Sequence, residues 1–251
     1  MSILIQHITA LKKASKKALA VLIDPDHDDL AVQNIAQICQ TNQVDFIFVG
    51  GSIITHGELS NTIKIIKDNF SGLVYIFPGN ELMIDQQADG ILLLSLISGR
   101  NPEYLIGKHV TAAPTLAKSD LDIVATAYLL INGGKETSVS YISNTKPIPA
   151  DKPDIAVATA LAGKMLGMHC IYMDAGSGAQ NAISNTMVSK VSKNINLPII
   201  IGGGIRNAEK ALELYKNGAD VLVIGNGVEN DQSLIKEIAT IKNKILKTVE
   251  L

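Results

Sequence analysis

The chain has 251 residues, of which 47% are hydrophobic and 18% are charged, and its mean hydropathy is +0.23. This balance excludes a disordered chain, which needs low hydrophobicity and high charge. The formal net charge of −2 and the scattered basic residues exclude the dense positive surface of a nucleic-acid-binding protein.

The sequence also predicts where the protein is found. No N-terminal segment is typical of a secretion signal, and no window approaches the ~18 unbroken apolar residues of a membrane helix. Cys39 and Cys170 carry no metal-ligand spacing, are too few for a disulfide scaffold, and are expected in the core. We therefore expect a cytoplasmic protein with at most peripheral membrane contact.

Short runs rich in Val, Ile and Leu recur along the chain and predict eight buried strands: Ala20–Ile23, Asp45–Val49, Leu73–Phe77, Gly90–Leu96, Ile123–Ile131, Cys170–Met173, Pro198–Ile201 and Val221–Ile224. Helical patterns lie between most of them and after the last: Asp28–Gln40, Glu58–Phe70, Pro102–Lys118, Asp154–Leu166, Ser184–Asn194, Asn207–Lys216 and Ser233–Lys247. The alternation predicts βαβ units and a parallel sheet. Eight units at this length predict an α/β fold, a closed (β/α)8 TIM barrel that forms one domain over residues 1–251; a doubly wound open sheet is the alternative.

Two segments depart from this alternation. The third helix is weak, because Asn80–Ala88 is short and polar and reads as a loop or a single turn. Asn132–Lys152 is a long insertion rich in Gly, Ser, Asn, Lys and Pro that follows the fifth predicted strand. Since loops of that length are usually functional, we expect it to border the active site.

Glycines and carboxylates collect where the predicted strands end, which is the end of a barrel that carries the active site. A glycine triplet, Gly202-Gly203-Gly204, follows the seventh strand, and Gly225-Asn226 follows the eighth. Glycine lets the backbone approach a ligand closely, and backbone N–H groups with the next helix N-terminus attract anions. The pattern predicts a phosphate site; tight strand-to-helix turns are the alternative.

Asp24 and Asp26 flank a proline after the first strand, and Ser52 follows the second. Carboxylate and hydroxyl oxygens without imidazole or thiolate favour Mg²⁺, which keeps several waters and uses substrate phosphates as ligands. The alternatives for Asp24 are a turn residue or a cap of the Asp28–Gln40 helix.

Asp174 ends the sixth strand and is a candidate general base towards a bound hydroxyl, with Tyr172 and Ser177 as hydrogen-bonding neighbours. Its alternative role is to cap a helix around Ala182–Ser192. The five histidines share no ligand spacing, and the chain offers no Ser-His-Asp or Cys-His arrangement.

These strand-end motifs occur in an order that resembles the geranylgeranylglyceryl phosphate synthase family over about Ala20 to Val228. The motifs that carry the resemblance are Leu22-Ile23-Asp24-Pro25-Asp26, Val49-Gly50-Gly51-Ser52, Phe77-Pro78-Gly79-Asn80, Leu94-Ser95-Leu96-Ile97-Ser98-Gly99-Arg100-Asn101-Pro102, Lys146-Pro147-Ile148-Pro149, Tyr172-Met173-Asp174-Ala175-Gly176-Ser177-Gly178-Ala179, Gly202-Gly203-Gly204-Ile205-Arg206 and Gly225-Asn226.

The resemblance implies a prenyltransferase of ether lipid synthesis and a homo-oligomer. The C3 hydroxyl of sn-glycerol 1-phosphate would attack C1 of an all-trans polyprenyl diphosphate, for which we favour geranylgeranyl diphosphate, and release diphosphate. Asp24 and Ser52 would hold Mg²⁺, and Asp174 and Tyr172 would be catalytic. The glycerol phosphate would be bound by Tyr172, Met173, Asp174, Ala175, Gly176, Ser177, Gly178, Gly203, Gly204, Gly225 and Asn226.

The chain departs from the family pattern at two positions. Asp174 stands where many members have glutamate, which shortens its reach by one methylene, and His27 stands where many have lysine. The prenyl tail would need an apolar groove, which the weak third helix and the loop after the fourth strand would leave open. The competing functions are a sugar-phosphate isomerase or a tryptophan- or histidine-pathway barrel, and a non-catalytic barrel that binds polyprenyl phosphates.

Overall fold

The eight apolar runs form eight strands in a computed structural model that describes residues 2–225 and 232–245. The strands are β1 (Ala18–Ile23), β2 (Phe46–Gly50), β3 (Leu73–Phe77), β4 (Gly90–Ser95), β5 (Asp122–Leu130), β6 (Cys170–Asp174), β7 (Ile199–Gly202) and β8 (Val221–Ile224). Each is parallel to its chain neighbour, and β8 pairs with β1, which closes the barrel. The predicted TIM barrel is confirmed, and the open sheet is excluded because its outer strands would not pair.

Helices cover the outside of the barrel, close one of its ends and occur within the loop that follows the fifth strand. They are α1 (Ile3–Lys13), α2 (Asp29–Thr41), α3 (Leu59–Asn69), α4 (Lys108–Leu116), α5 (Ser138–Ser143), α6 (Pro153–Met165), α7 (Asn185–Asn194), α8 (Ala208–Lys216) and α9 (Ser233–Ile245). The side chains of Asp28, Ser184 and Asn207 accept hydrogen bonds from backbone N–H groups of the first turns of α2, α7 and α8. These caps fix where each helix begins after its strand.

The strands separate two apolar layers, because successive side chains point to opposite faces. On β6, Ile171 and Met173 pack outwards against the helices, whereas Cys170 and Tyr172 point into the barrel. α1, which the sequence analysis did not predict, packs Leu4, Ile5 and Ile8 into the interior layer and closes the end where the strands begin. The opposite end is left for the active site.

The two irregular segments differ in outcome. The weak third helix is absent, since no residue of 80–88 is helical and the segment is a loop with turns and bends. The expected long loop contains some regular structure, because α5 lies within it and Ile148 forms a β-bridge with Ile131. The predicted Pro102–Lys118 helix begins with a π-helical turn, Glu103–Gly107, and continues as α4.

Both cysteines are fully buried, as predicted. None of the helices in residues 2–225 and 232–245 combines the length and the hydrophobicity of a membrane-spanning segment. The single domain over residues 1–251 stays a prediction, since the chain outside those ranges is not described.

Candidate active site

A cavity of about 620 Å³ opens at the end of the barrel where the strands terminate. It brings together most of the residues that the sequence singles out: Asp24, Ser52, Tyr172, Asp174, Gly176, Ser177, Gly178, Gly203, Gly204 and Gly225. Met173 and Ala175 do not line it, because their side chains are buried in the outer apolar layer. Asn226 lies outside the described residues.

The glycine-rich segments that follow β6, β7 and β8 line this cavity and are here called the glycine loops (residues 176–178, 203–204 and 225). Gly203 has φ +80°, and a Cβ there would lie 2.7 Å from Asp174 Oδ1 and 2.8 Å from the Gly176 nitrogen. Gly204 has φ +70°, and a Cβ would lie 2.7 Å from the Ala182 nitrogen. Any side chain at either position would fill the space in which backbone groups can meet a ligand.

Two positive charges border the glycine loops, and the sequence analysis did not assign either to the site. Arg206 lines the cavity and donates through Nη2 to the Ala179 carbonyl at 2.8 Å. The ammonium of Lys135 would lie 3.7 Å from a Cβ at Gly178. With these charges the glycine loops suit a phosphate. The signal available for Arg206 was its place two residues after the glycine triplet.

Asp24 faces the loop that follows β2. Its Oδ1 accepts a hydrogen bond from the Asp26 N–H at 3.0 Å, and its Oδ2 lies 3.1 Å from where a Cβ at Gly51 would be, beside Ser52. Asp24 therefore stabilises its own turn, which was the first of the two alternative roles considered for it. The other alternative is wrong, because Asp28 caps α2 by accepting from the Ala31 N–H.

Asp26 has a separate, structural role. Its carboxylate accepts hydrogen bonds from the Thr55 hydroxyl at 2.6 Å and from the N–H groups of Thr55, His56 and Gly57. These bonds, the Thr55 hydroxyl first, hold the pKa of Asp26 well below its usual range. The side chain thus ties the β1 loop to the β2 loop.

Among residues 2–225 and 232–245, no three His, Cys, Asp or Glu side chains are grouped as a ready-made metal site. Asp24 and Ser52 offer one carboxylate and one hydroxyl on adjacent strand ends of the same cavity. That set is insufficient for a cation held by protein alone. It fits Mg²⁺, which completes its octahedron with waters and substrate phosphates.

Asp174 is held at the inner edge of the cavity by two donors. Its Oδ1 accepts from the Gly176 N–H at 2.9 Å, and its Oδ2 accepts from the Tyr128 hydroxyl at 2.5 Å. Burial raises the pKa of Asp174 above its usual range, and the two hydrogen bonds oppose that rise. The capping alternative is wrong, because Ser184 caps α7.

Tyr128 is a site residue that the sequence analysis missed. It lies within β5 rather than at its end, directly opposite Tyr172 in the β5–β6 register, with ring centroids 5.5 Å apart. Burial, with the Asp174 charge second, raises the pKa of both tyrosines well above the usual value. The period-2 pattern of β5 was the available signal, since it turns Tyr128 towards the interior.

The same cavity continues into an apolar groove beside the loop that replaces the third helix. The groove is lined by Ile84, Leu93, Leu96, Leu116 and Ile142. Polar groups also line this part of the cavity: His109, whose Nε2 lies 3.0 Å from Ser95 Oγ, and the ion pair of Lys108 with Glu81, 3.0 Å apart. An apolar groove at this place agrees with the sequence expectation, and its lining suits a hydrocarbon chain.

Comparison with known proteins gives the same motifs a wider context. Residues 12–243 match the PcrB family. The geranylgeranylglyceryl phosphate synthase of Spirosoma linguale is 49% identical over 239 residues, 95% of this chain and 96% of that protein. The synthase of the same name from Pyrococcus furiosus is 41% identical over 226 residues, 89% of each chain.

A solved structure resembles the whole barrel. The (S)-3-O-geranylgeranylglyceryl phosphate synthase of Thermoplasma acidophilum, crystallised with its substrate sn-glycerol-1-phosphate, superposes with a TM-score of 0.89 at 31% identity and covers 97% of this chain and 99% of its own. Tryptophan synthase of Mycobacterium tuberculosis gives a TM-score of 0.55 at 14% identity. That likeness shows the fold alone, so it gives the tryptophan-pathway alternative no functional support.

Proposed function

The chain belongs to the PcrB family, and from this premise we propose that it is a prenyltransferase that joins sn-glycerol 1-phosphate to geranylgeranyl diphosphate. The products are 3-O-(geranylgeranyl)glyceryl phosphate and diphosphate. One observation carries the proposal: a single cavity contains the glycine loops, the Asp24–Ser52 pair and the apolar groove. A phosphorylated alcohol, a diphosphate and a prenyl tail each have a chemically matched surface there.

The glycine loops would bind the phosphate of glycerol phosphate. Backbone N–H groups around Gly203 and Gly204 and the Arg206 guanidinium favour an anion at this wall. Binding the phosphate there fixes the glycerol at one end, which orients its C3 hydroxyl. Holding two reactants in a productive geometry contributes up to roughly 7–11 kcal/mol to lowering a barrier.

Asp24 and Ser52 would hold Mg²⁺ against the diphosphate. When bound, the ion would neutralise charge on the leaving diphosphate. The Asp26 N–H donates to Oδ1 of Asp24, and Oδ2 lies beside the Gly51–Ser52 turn, on the side where the ion would bind.

Asp174 would take the proton from the attacking hydroxyl. Burial raises its pKa, which makes the ionised carboxylate a stronger base than an exposed aspartate. Tyr172, buried beside it on β6, would shape the pocket for the glycerol backbone. Attack on C1 then forms the ether bond while the bond to diphosphate breaks.

We further propose a cytoplasmic homo-oligomer with peripheral membrane contact. Two observations support the membrane contact. Leu82 and Ile106 lie near the groove and are 83% and 59% exposed. The prenyl diphosphate and the lipid product both carry a prenyl tail. The oligomer is supported by apolar surface at the end of α6, where Met165 and Leu166 are 82% and 70% exposed. Light scattering and vesicle sedimentation would test the two proposals separately.

The decisive experiment is a radiolabelled transfer assay. Purified protein, Mg²⁺ and geranylgeranyl diphosphate are mixed with sn-glycerol 1-phosphate, and in parallel with its sn-3 enantiomer. We expect extractable lipid with the sn-1 form only, and a series of diphosphates would establish the preferred chain length. No lipid with any prenyl donor, from folded protein that binds glycerol phosphate, would contradict the proposal and favour a non-catalytic binding barrel.

A further inference from the structure

We propose that Lys135 binds the phosphate of the substrate together with Arg206, and that the long loop after β5 (residues 132–152) serves to carry this lysine over the glycine loops. The inference rests on the proposed function and adds a second cation to its phosphate site. It follows from the packing of the loop, from the position of the Lys135 ammonium and from the charges around it.

The start of the long loop is fixed against the loop that follows β6. The Asn181 N–H donates to the Gly133 carbonyl at 2.9 Å. A Cβ at Gly133 would lie 2.6 Å from the Cβ of Ala179, and a Cβ at Gly134, where φ is +92°, would lie 2.6 Å from Asn181 Nδ2. Because these two glycines have no side chains, the two loops can pack this closely directly before Lys135.

The residues after Lys135 are held against the same loop. Thr137 is buried, and a Cβ at Gly176 would lie 2.7 Å from Thr137 Oγ1. Between these two contacts the Lys135 ammonium lies 3.7 Å from where a Cβ at Gly178 would be, on the glycine loops. Lys135 is otherwise exposed, so its flexible four-carbon stem lets the ammonium adjust to an anion bound there.

Arg206 brings a second positive charge to this loop from the end of β7. Its Nη2 donates to the Ala179 carbonyl at 2.8 Å, so the two cations lie against consecutive residues, Gly178 and Ala179. Within residues 2–225 and 232–245, no ion pair joins either cation to a carboxylate. Like charges that converge repel each other, and an anion bound beside both would remove that repulsion.

The charge of the ligand matches this pair of cations. A phosphate monoester carries about −1.5 to −2 charges at pH 7, so two cations neutralise it. Arginine binds phosphate through its fork of N–H donors, whereas lysine binds it as a point charge. The phosphate keeps its charge throughout the transfer, so Lys135 would stabilise the bound substrate and the transition state equally.

Lys135→Gln tests the proposal, because it removes the charge and keeps a polar side chain. We expect the Kd values for sn-glycerol 1-phosphate and for inorganic phosphate, measured by calorimetry, to rise about tenfold, the scale of one lost hydrogen bond to a charged group. The KM for glycerol phosphate should rise by the same factor while kcat stays within about twofold, since uniform binding is lost. Lys135→Arg keeps the charge and should retain wild-type affinity.

Two further variants test the position of the lysine. Lys152→Gln makes the same exchange at the other end of the long loop, where the ammonium pairs with Asp151 at 3.6 Å, and should leave affinity unchanged. Gly134→Ala keeps Lys135 but adds a Cβ that meets Asn181, and should weaken glycerol phosphate binding by separating the two loops. In the Lys135→Gln background Gly134→Ala should cost little more, because the two changes remove the same contact.

The outcomes distinguish this inference from the proposed function. Wild-type protein that forms no lipid contradicts the proposed function, whereas the Kd values are measured without prenyl donor and do not depend on turnover. Wild-type protein that binds glycerol phosphate, with Lys135→Gln within about twofold of it in Kd, overturns the role of the lysine alone. An equal loss of affinity in Lys152→Gln also overturns it, because the effect would then come from net charge.

Discussion

Asp24 is the residue on which the proposed magnesium site depends. Asp24→Asn keeps the shape of the side chain and can keep the hydrogen bond from the Asp26 N–H, but it removes the negative charge that a cation needs. We expect Mg²⁺-stimulated turnover to be abolished while glycerol phosphate binding stays near normal. Transfer assays across a magnesium titration, with calorimetry of glycerol phosphate binding, measure the two effects.

Asp28→Asn is the matched control for this variant. It makes the same exchange four positions away, on the residue that caps α2. Asparagine caps a helix about as well as aspartate, so stability and turnover should both stay close to wild type. Unchanged turnover in Asp24→Asn would contradict the metal assignment.

Asp174→Ala tests the base by removing the carboxylate from between Tyr128 and Gly176. We expect turnover to fall roughly 10²–10⁴-fold. Truncating a buried side chain also leaves a cavity, so Asp174→Asn is measured beside Asp174→Ala. The comparison separates the effect of losing the charge from the effect of losing side-chain volume. A small effect of both substitutions would reduce Asp174 to a hydrogen-bond partner of the strand end.

The wild-type pH profile gives a second test of the same residue. The base must be ionised, so activity is lost as the pH falls through the pKa of Asp174. Burial raises that pKa, and the acidic limb should therefore lie at higher pH than an ordinary aspartate would give. A profile that stays flat down to the usual aspartate range would contradict this.

At the scale of elements, the wall formed by the glycine loops tolerates no side chain. Gly203→Ala would place a Cβ 2.7 Å from Asp174 Oδ1 and 2.8 Å from the Ala175 nitrogen, at a φ of +80° that alanine rarely adopts. We expect at least a tenfold loss of glycerol phosphate affinity and a lower melting temperature. Gly167→Ala is the control, because it has φ +84° and no atom within 4 Å of the added Cβ. It should lower the melting temperature through strain alone and leave affinity unchanged.

The elements show which parts of the fold were predictable from sequence. β3 and β8 begin and end where predicted, because strands buried on both faces appear as continuous apolar runs, and these two runs are bounded by Gly72 and Pro78 and by Asp220 and Gly225. α1 was missed. In the sequence of α1 the apolar residues are isolated aliphatics among polar ones, so the helical pattern is weak. The role of α1 depends on the end of the barrel that it covers, and that end exists only once the sheet has closed.

The residues of the candidate site also divide into those that the sequence predicted and those that it did not. The strand-end residues, such as Asp24 and Gly203, were predictable because parallel strands bring their carboxyl ends to one side. Tyr128 was not, because its partner Asp174 is 46 positions away along the chain and becomes a neighbour only through the β5–β6 register. Likewise Met173 belongs to a motif that reaches the site, but strand alternation turns its side chain towards the helices.

At the scale of the whole molecule, we expect ligand binding to be coupled to closure of the barrel. The glycine loops follow β6, β7 and β8, and β8 pairs with β1 to complete the sheet. A ligand that joins these loops binds only the folded barrel. At a concentration about 100 times its Kd it stabilises by about 2.7 kcal/mol, which for a chain of this size is roughly 5–11 °C in Tm.

Thermal shift without prenyl donor therefore tests binding independently of turnover. We expect sn-glycerol 1-phosphate to raise Tm by that amount and its sn-3 enantiomer to raise it less, because a ligand whose phosphate binds the glycine loops would have to place its C3 hydroxyl at Asp174, which only one enantiomer does without strain. Asp24→Asn should retain the shift, and Gly203→Ala should lose it. Equal shifts with both enantiomers would mean that the glycine loops recognise phosphate alone, and stereochemical selection would then have to arise in the transfer step.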